Sequence, residues 1–413
     1  MATCAAQVET VVHNFGQGDF DGVESFAGLV QDAAGNLYGT TNQGGIQTQG
    51  TVFELSPRVG GGWSETVLHS FGNGTAGKYP YAGLIFDSAG DLYGTTANGG
   101  IHVGGSCYLG CGAVFELSPR EGGGWTETVL HSFGSGTDGA RPEAGLIFDS
   151  AGNLYGTTTA GGIHHAGTVF ELSPRQGGGY TETVLHSFGN GTDGQYPYAG
   201  LLFDAAGNLY GTTYEGGIHN TCFYEGLTCG TVFEISPRQG GGWTETVLHS
   251  FGNGTDGANP QAGLIFDGAG NLYGTTGQGG IHQSYAVGGI AFELSPREGG
   301  GWQETVLYNF CNLAAGDGCS PAAALVFDGE GNLYGTTVSG GIHFDGTAFR
   351  LSPRQGGGWT ETILHSFGRG TDGIYPNAGL IFDSAGNLYS TTADGGIHPC
   401  GSPGCGTVFK LTP

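Results

Sequence analysis

The chain is short of positive charge. It holds 11 Lys and Arg against 36 Asp and Glu, for a net charge of −25 at pH 7. Nucleic acid and anionic membrane surfaces are bound through clustered cations, so the composition argues against both as partners. No apolar run approaches the ~20 residues of a membrane-spanning helix. No segment carries a helical period of hydrophobic residues. Neither a Gly-x-Ser-x-Gly nucleophile elbow nor a glycine-rich phosphate loop is present. The abundant residue is glycine, at 88 of 413 positions, beside a chain that is 38% hydrophobic and 11% aromatic. That is too apolar for disorder. The glycines are therefore turn residues, and the elements between them are short.

Three strings recur seven times each. Gly-Asn-Leu-Tyr-Gly-Thr-Thr and its variants place tyrosines at 38, 93, 155, 210, 273, 334 and 389. Gly-Thr-Val-Phe-Glu-Leu-Ser-Pro places phenylalanines at 53, 115, 170, 233, 292, 349 and 409. Glu-Thr-Val-Leu-His-Ser-Phe places glutamates at 9, 65, 127, 182, 245, 304 and 361. One unit reads as four strands. These are 82–87, 91–96 and 112–117, with Ser118-Pro119 closing the third, and then 125–133. Asp87 and Gly90 are placed to make the turn between the first two.

Seven four-stranded units match the blades of a propeller better than the coils of a solenoid. The expectation is an all-β chain, one seven-bladed β-propeller domain over 1–413. Blades 1 to 6 are 27–71, 82–133, 144–188, 199–251, 262–310 and 323–367. Blade 7 joins 378–413 to 7–15, because the chain begins with a lone fourth strand and ends on a third. Such a split blade closes the ring and removes an open sheet edge.

The unit Gly-Leu-Ile-Phe-Asp-Ser-Ala-Gly-Asn-Leu-Tyr-Gly-Thr-Thr, followed by Gly-Gly-Ile-His and Gly-Thr-Val-Phe-Glu-Leu, resembles the gloeo/verruco tandem repeat of choice-of-anchor GloVer-containing proteins. The resemblance covers nearly the whole chain. It implies a bacterial, exported, often surface-anchored protein and no established chemistry. The Asp-x-x-Gly-Asn-Leu-Tyr turn is also loosely similar to NHL-type and streptogramin-lyase-like propellers, at the level of fold.

Eight of nine cysteines form close local pairs: Cys107/Cys111, Cys222/Cys229, Cys311/Cys319 and Cys400/Cys405. Each pair is expected in a loop of the variable face, where its blade departs from the consensus. Loop staples of this kind are disulfide behaviour and imply an oxidising compartment. The spacings differ between blades and lack the knuckle of structural zinc. Cys4 has no evident partner. Ala2-Thr3-Cys4-Ala5-Ala6 resembles the end of a signal peptide, so a mature chain behind an added Met1 is expected.

Variation between copies points to a site. The hairpins between strands 1 and 2 and strands 3 and 4 are nearly uniform, whereas loops on the opposite face vary. The segment entering each first strand, with consensus Asp-Gly-x-Tyr-Pro-Tyr-Ala-Gly, lies innermost. Before proline stand Tyr79, Arg141, Tyr196, Asn259, Ser320 and Tyr375, with Glu24 in blade 1. After it stand Tyr81, Glu143, Tyr198, Gln261, Ala322 and Asn377, with Phe26 in blade 1. Long loops add Tyr108, Phe223, Tyr224, Glu225 and Tyr285. Aromatic faces with amides and few charges suit stacking on sugar rings around the channel mouth. The competing reading is packing between blades.

Six histidines follow Gly-Gly-Ile (102, 164, 219, 282, 343, 398) and six lie in fourth strands (13, 69, 131, 186, 249, 365), with Tyr308 in the seventh. Equivalent residues of adjacent blades are too far apart to share one ion, so each set is expected to bond a backbone group within its own blade, with no metal. Calcium at the Asp-Gly pairs 138, 193, 256, 317 and 372 is the one cofactor alternative. His165 is unique to its unit and sits in the same blade as Glu143 and Arg141. Together these three are the candidates for base, acid and charge stabiliser in polysaccharide cleavage. The leading reading is a secreted, monomeric recognition module for an extracellular glycan or cell-surface component. A polysaccharide lyase or hydrolase is the alternative, and an inert scaffold the third.

Overall fold

The computed structural model describes residues 8–104, 107–219, 222, 228–282, 288–400 and 404–412. Seven four-stranded antiparallel sheets are present, and one of them joins the two ends of the chain. In blade 2 the strands are Ile85–Phe86, Leu92–Thr96, Ala113–Pro119 and Trp125–Ser132. Blade 7 pairs Val8–Asn14 with Thr407–Thr412, which pairs in turn with Leu388–Thr392 and Ile381–Phe382 beyond it. The only helix among the described residues is a single 3-10 turn, Leu313–Ala315.

Two strand limits differ from the sequence reading. The first strand is two residues long, because the chain before it bonds the neighbouring blade instead of its own sheet. The third strand runs through Ser118 to Pro119, which lies opposite Trp125. The second strand ends its ladder at Leu92–Leu117, so the proline has no neighbour on that side and its missing N–H costs nothing.

The repeated strings build the interfaces between blades. The fourth-strand phenylalanine of each blade meets the third-strand phenylalanine of the next. Phe71–Phe115, Phe133–Phe170 and Phe188–Phe233 all stand 5.0 Å apart, and Phe15–Phe53 repeats the contact across the seam at 5.2 Å. All these rings are fully buried, and tilted or edge-on pairs add to the burial term. The first threonine of Gly-Thr-Thr donates to the backbone of the next blade: Thr40 to Ala82 O, Thr95 to Ala144 O, Thr157 to Ala199 O, and Thr391 to Ala27 O around the seam. The ring is therefore closed by the same bonds that hold adjacent blades.

The repeated aspartates hold the 1–2 turn as expected. Asp149 accepts from the amides of Ala151 and Asn153, from Asn153 Nδ2 and from Tyr155 OH. These donors hold its carboxyl below the usual range, despite partial burial acting the other way. Near the axis the blades approach closely, and a Cβ on Gly83 would stand 2.8 Å from Gly28 O.

Candidate functional site

Each blade carries a two-stranded ribbon that the sequence did not reveal. Gly77–Lys78 pairs Asn98–Gly99, Gly139–Ala140 pairs Ala160–Gly161, and Gly194–Gln195 pairs Glu215–Gly216. The ribbon lies on the variable face, and the next residue occupies the pre-proline position. At that position Glu24, Tyr79, Arg141, Tyr196, Asn259, Ser320 and Tyr375 all take left-handed backbone, with φ from 55° to 59°. A non-glycine residue there costs of order 1–3 kcal/mol and persists only where its surroundings over-determine it. Hydrogen bonds on both sides supply that constraint. Arg141 N donates to Cys111 O of the preceding blade, and Arg141 O accepts from Thr159 N of its own. Tyr79 is held between Gln49 O and Ala97 N, and Tyr196 between Ala166 O and Tyr214 N.

The post-proline residues are locked in turn, because the alanine following each accepts the threonine hydroxyl described above. From this frame a continuous strip stands at the mouth. Phe26 and Tyr81 lie 5.5 Å apart and tilted by 33°. Arg141 Nη2 donates to Glu143 Oε1 at 3.0 Å. Tyr198 packs edge-on against Tyr214 at 5.6 Å. Glu143 and Arg141 lie close enough to act electrostatically on both Tyr81 and Tyr198. Burial raises the hydroxyl pKa of both tyrosines, so both are neutral donors at neutral pH. Burial likewise raises Glu143, while the Arg141 guanidinium opposes it.

The other candidates are spread around the mouth. Gln261 is exposed, and Asn377 is half-buried with Nδ2 donating to Tyr375 O. Asn259 Nδ2 is turned onto Tyr214 O. Tyr108 stands out in the loop stapled by Cys107–Cys111, 76% exposed. Tyr224, Tyr285, Phe223, Glu225 and Cys4 lie outside the described residues. His165 is exposed, with its amide donating to Gly162 O, and forms no hydrogen bond or ion pair with Glu143 or Arg141. The structure pairs those two and leaves His165 apart.

Tyr214 was missed. It is the residue after Thr-Thr, which varies as Asn42, Ala97, Thr159, Tyr214, Gly277, Val338 and Ala393. That variation was a readable signal for a second tier of the mouth, since this residue's amide bonds the pre-proline carbonyl in each blade.

The histidines depart from expectation. Among the described residues the loop set makes no side-chain hydrogen bond. Three of them line grooves instead: His102, His164 beside His186 in a cavity of ≈ 350 Å³, and His219 beside His249 in one of ≈ 440 Å³. Four of the fourth-strand set bond a side chain and not the backbone. His131, His186, His249 and His365 meet Asp138, Asp193, Asp256 and Asp372 through Nε2 at 2.8–3.2 Å. Asp138, Asp193 and Asp256 also each take a backbone amide, as Asp193 does from Gly189. A glutamate of the next fourth strand faces each cluster. Burial, then Asp138, pushes Glu182 up to about 7, and burial, then Asp256, does the same to Glu304.

All four expected disulfides are formed: Cys107–Cys111, Cys222–Cys229, Cys311–Cys319 and Cys400–Cys405. That fits folding in an oxidising compartment. Their burial adds to the reading of them as loop staples. Cys229, Cys319 and Cys405 are buried, at 0%, 2% and 0% exposure. Cys229 and Cys405 each stand just before the glycine that opens a third strand, at the root of the loop. Their carbonyls accept the pre-proline amides of the next blade, Asn259 N and Glu24 N, so that blade covers them. Their sulfurs rest on Gly252 and Gly16, where a Cβ would collide with them, and both join the hydrophobic core. Cys319 differs again. It lies within a ribbon strand, Gly318–Cys319, paired with Ser339–Gly340. It is therefore tied to the entry of blade 6, in the connection from the fourth strand of blade 5 to the first strand of blade 6. These three cysteines anchor the loops from beneath and present nothing to a ligand. No helix among the described residues is long and apolar enough to cross a membrane.

Comparison with solved structures finds propeller-type proteins. A candidate 6-phosphogluconolactonase of Bacteroides uniformis aligns with a TM-score of 0.50 at 12% identity, over 87% of this chain and 96% of its own. A candidate oxidoreductase (glucose dehydrogenase) of Thermus thermophilus gives 0.42 at 17% identity, over 80% and 95%. PorZ, a surface component of the type-IX secretion system of Porphyromonas gingivalis, gives 0.45 at 14%, over 86% of this chain and 43% of its own. Likeness at this level is one of fold. No curated protein matches the sequence. The profile of the Gloeobacter/Verrucomicrobia repeat matches residues 104–326 and 283–413, most of a chain whose seven units share one pattern, and the protein belongs to that family.

Proposed function

We propose that this propeller is an exported bacterial recognition module that binds a glycan on the variable face. The observation that carries this is the strip Phe26–Tyr81–Arg141/Glu143–Tyr198–Tyr214, presented on a backbone held rigid by interblade bonds. Sugars offer apolar C–H faces and dense hydroxyls. Tyrosine rings cover the former, and tyrosine hydroxyls, the guanidinium and the carboxylate bond the latter. Rigid aromatics lose little entropy on binding. Tyr81 and Tyr198 are 37% and 40% exposed, which suits a polymer chain lying across them more than a small molecule enclosed between them.

A cleavage reading rests on Glu143 alone, a buried carboxyl with a raised pKa. Glycoside hydrolysis uses two carboxyl groups flanking the bond, and Glu143 is paired with a guanidinium, so binding is favoured. The test is affinity electrophoresis against bacterial and plant polysaccharides, with released oligosaccharides and unsaturated products read in parallel. Retention without products supports the module. Products would transfer the assignment to an enzyme, and no retention on any polymer would remove the glycan reading.

A further inference from the structure

We propose that the interfaces between blades hold divalent transition-metal sites of the zinc type, the best formed being His13–Asp21–Glu65 at the seam of the ring. This inference is independent of the glycan reading. His13 lies on the N-terminal strand that completes blade 7, Asp21 in the connection just before the ribbon strand Gly22–Val23, and Glu65 on the fourth strand of blade 1. His13 Nε2 stands 3.8 Å from Asp21 Oδ2 and 3.7 Å from Glu65 Oε2. Its side chain is only 9% exposed and that of Asp21 only 6%. Nε2 nevertheless has no hydrogen-bond partner, and neither has Glu65 Oε1. A buried imidazole nitrogen without a partner is costly, and here it is aimed at two carboxylates.

The spacing fits an ion. Three donor atoms at these separations, all within 4.8 Å of one another, surround a point about 2.1–2.4 Å from each, close to zinc–nitrogen and zinc–carboxylate lengths. The ligands are held from behind. Gln17 N donates to Asp21 Oδ2 and Gly22 N to Asp21 Oδ1, both at 2.6 Å, the kind of outer-shell bond that orients a metal ligand. One imidazole and two carboxylates leave a fourth position for water. The imidazole selects zinc-like ions over calcium, which takes six to eight oxygens.

The repeat supplies further copies and built-in controls. His249–Asp256–Glu304 and His365–Asp372–Glu9 bring the same three residue types within the same limit. Where His69 faces Glu127, Ala76 replaces the aspartate. Where Asp317 and Glu361 meet, Tyr308 replaces the histidine and donates to both. An ion at the seam would fasten the first strand of the chain to blade 1, so it would act on ring closure.

The test uses the whole protein, freed of metal by chelator and titrated with zinc chloride near neutral pH. Bound metal is counted by atomic emission and melting is followed by calorimetry. At least one equivalent should bind at micromolar zinc and raise Tm by several degrees. Glu65→Gln and His13→Gln should each remove one equivalent and part of that shift, whereas His164→Gln, in an exposed loop, should keep both. X-ray absorption of the loaded wild-type protein should show one imidazole with oxygen donors near ~2.0–2.1 Å. This readout decides the matter if a variant fails to fold. No bound zinc, binding unchanged in both ligand variants, or a shell of several imidazoles from the loop histidines would each overturn the proposal.

Discussion

Removing the two outermost tyrosines of the mouth should weaken glycan binding by an amount the structure sets. Tyr81 is 37% exposed and Tyr198 40%. On side chains of roughly 200 Å² this leaves ~80 Å² of each for a ligand to cover. At ~25 cal/mol per Å² full coverage contributes ~2 kcal/mol per ring, or about 30-fold in affinity. Tyr81→Ala and Tyr198→Ala should each approach that loss for whichever polysaccharide the wild type retains. The strip spans both residues, so a polymer long enough to reach from blade 2 to blade 4 should lose more in the double variant than in either single one. Each ring also touches a neighbour, Phe26 and Tyr214 respectively, so a small drop in Tm is expected and must be measured beside the affinity. Calorimetric titration with oligosaccharides of increasing length separates the two effects. Unchanged affinity in both single variants would refute the reasoning. Equal loss for short and long oligomers would show that one tyrosine pocket, and not the strip, is the site.

Three further outcomes follow from the interfaces and turns. Phe15→Ala at the seam and Phe188→Ala within the ring remove equivalent buried rings; each should cost about 3–5 kcal/mol, and denaturant midpoints differing strongly between them would show that the seam is not equivalent to the other interfaces. Asp149→Ala, which takes the carboxylate acceptor away from four donors in one turn, should cost about 1–2 kcal/mol because water can replace part of the bonding, and should leave polysaccharide retention unchanged. Burial lowers His69 to about 4, so its imidazole is neutral at neutral pH where it stands 3.7 Å from Glu127. Its folded pKa lies below the unfolded ~6.5, so its contribution is fully present above pH 6.5 and is lost as pH falls towards 4, up to ~3 kcal/mol. Urea midpoints of His69→Gln should show a shallower decline over that window, and parallel pH profiles would contradict the assignment.

Much of this architecture is written in the repeat. A string recurring seven times must do the same job seven times, so strand number, blade count and the split blade follow from spacing alone, and the turn role of Asp87 or Asp149 from its place before Ala-Gly. Cysteine pairs four to eight residues apart can reach each other locally, which made the disulfides legible without a fold. Their depth was not legible, because the cover over Cys229 and Cys405 comes from the next blade. The mouth residues were legible as positions, because copies that agree elsewhere disagree there.

What only the tertiary structure decided lies between blades. No spacing within a unit shows that Thr157 reaches Ala199, that Arg141 is held in left-handed backbone by Cys111 of the blade before it, or that Glu65 faces His13 from the other end of the chain. These contacts depend on how the twist of each sheet presents one blade to the next. The same reason separates His165 from Glu143 and Arg141. All three share a blade, yet Arg141 bonds Cys111 of the blade before, while Ala166, just after His165, bonds Tyr196 of the blade that follows. The sequence by itself determined the unit and the ring; the packing of unequal neighbours determined which side chains meet, and so where a ligand or an ion can be held.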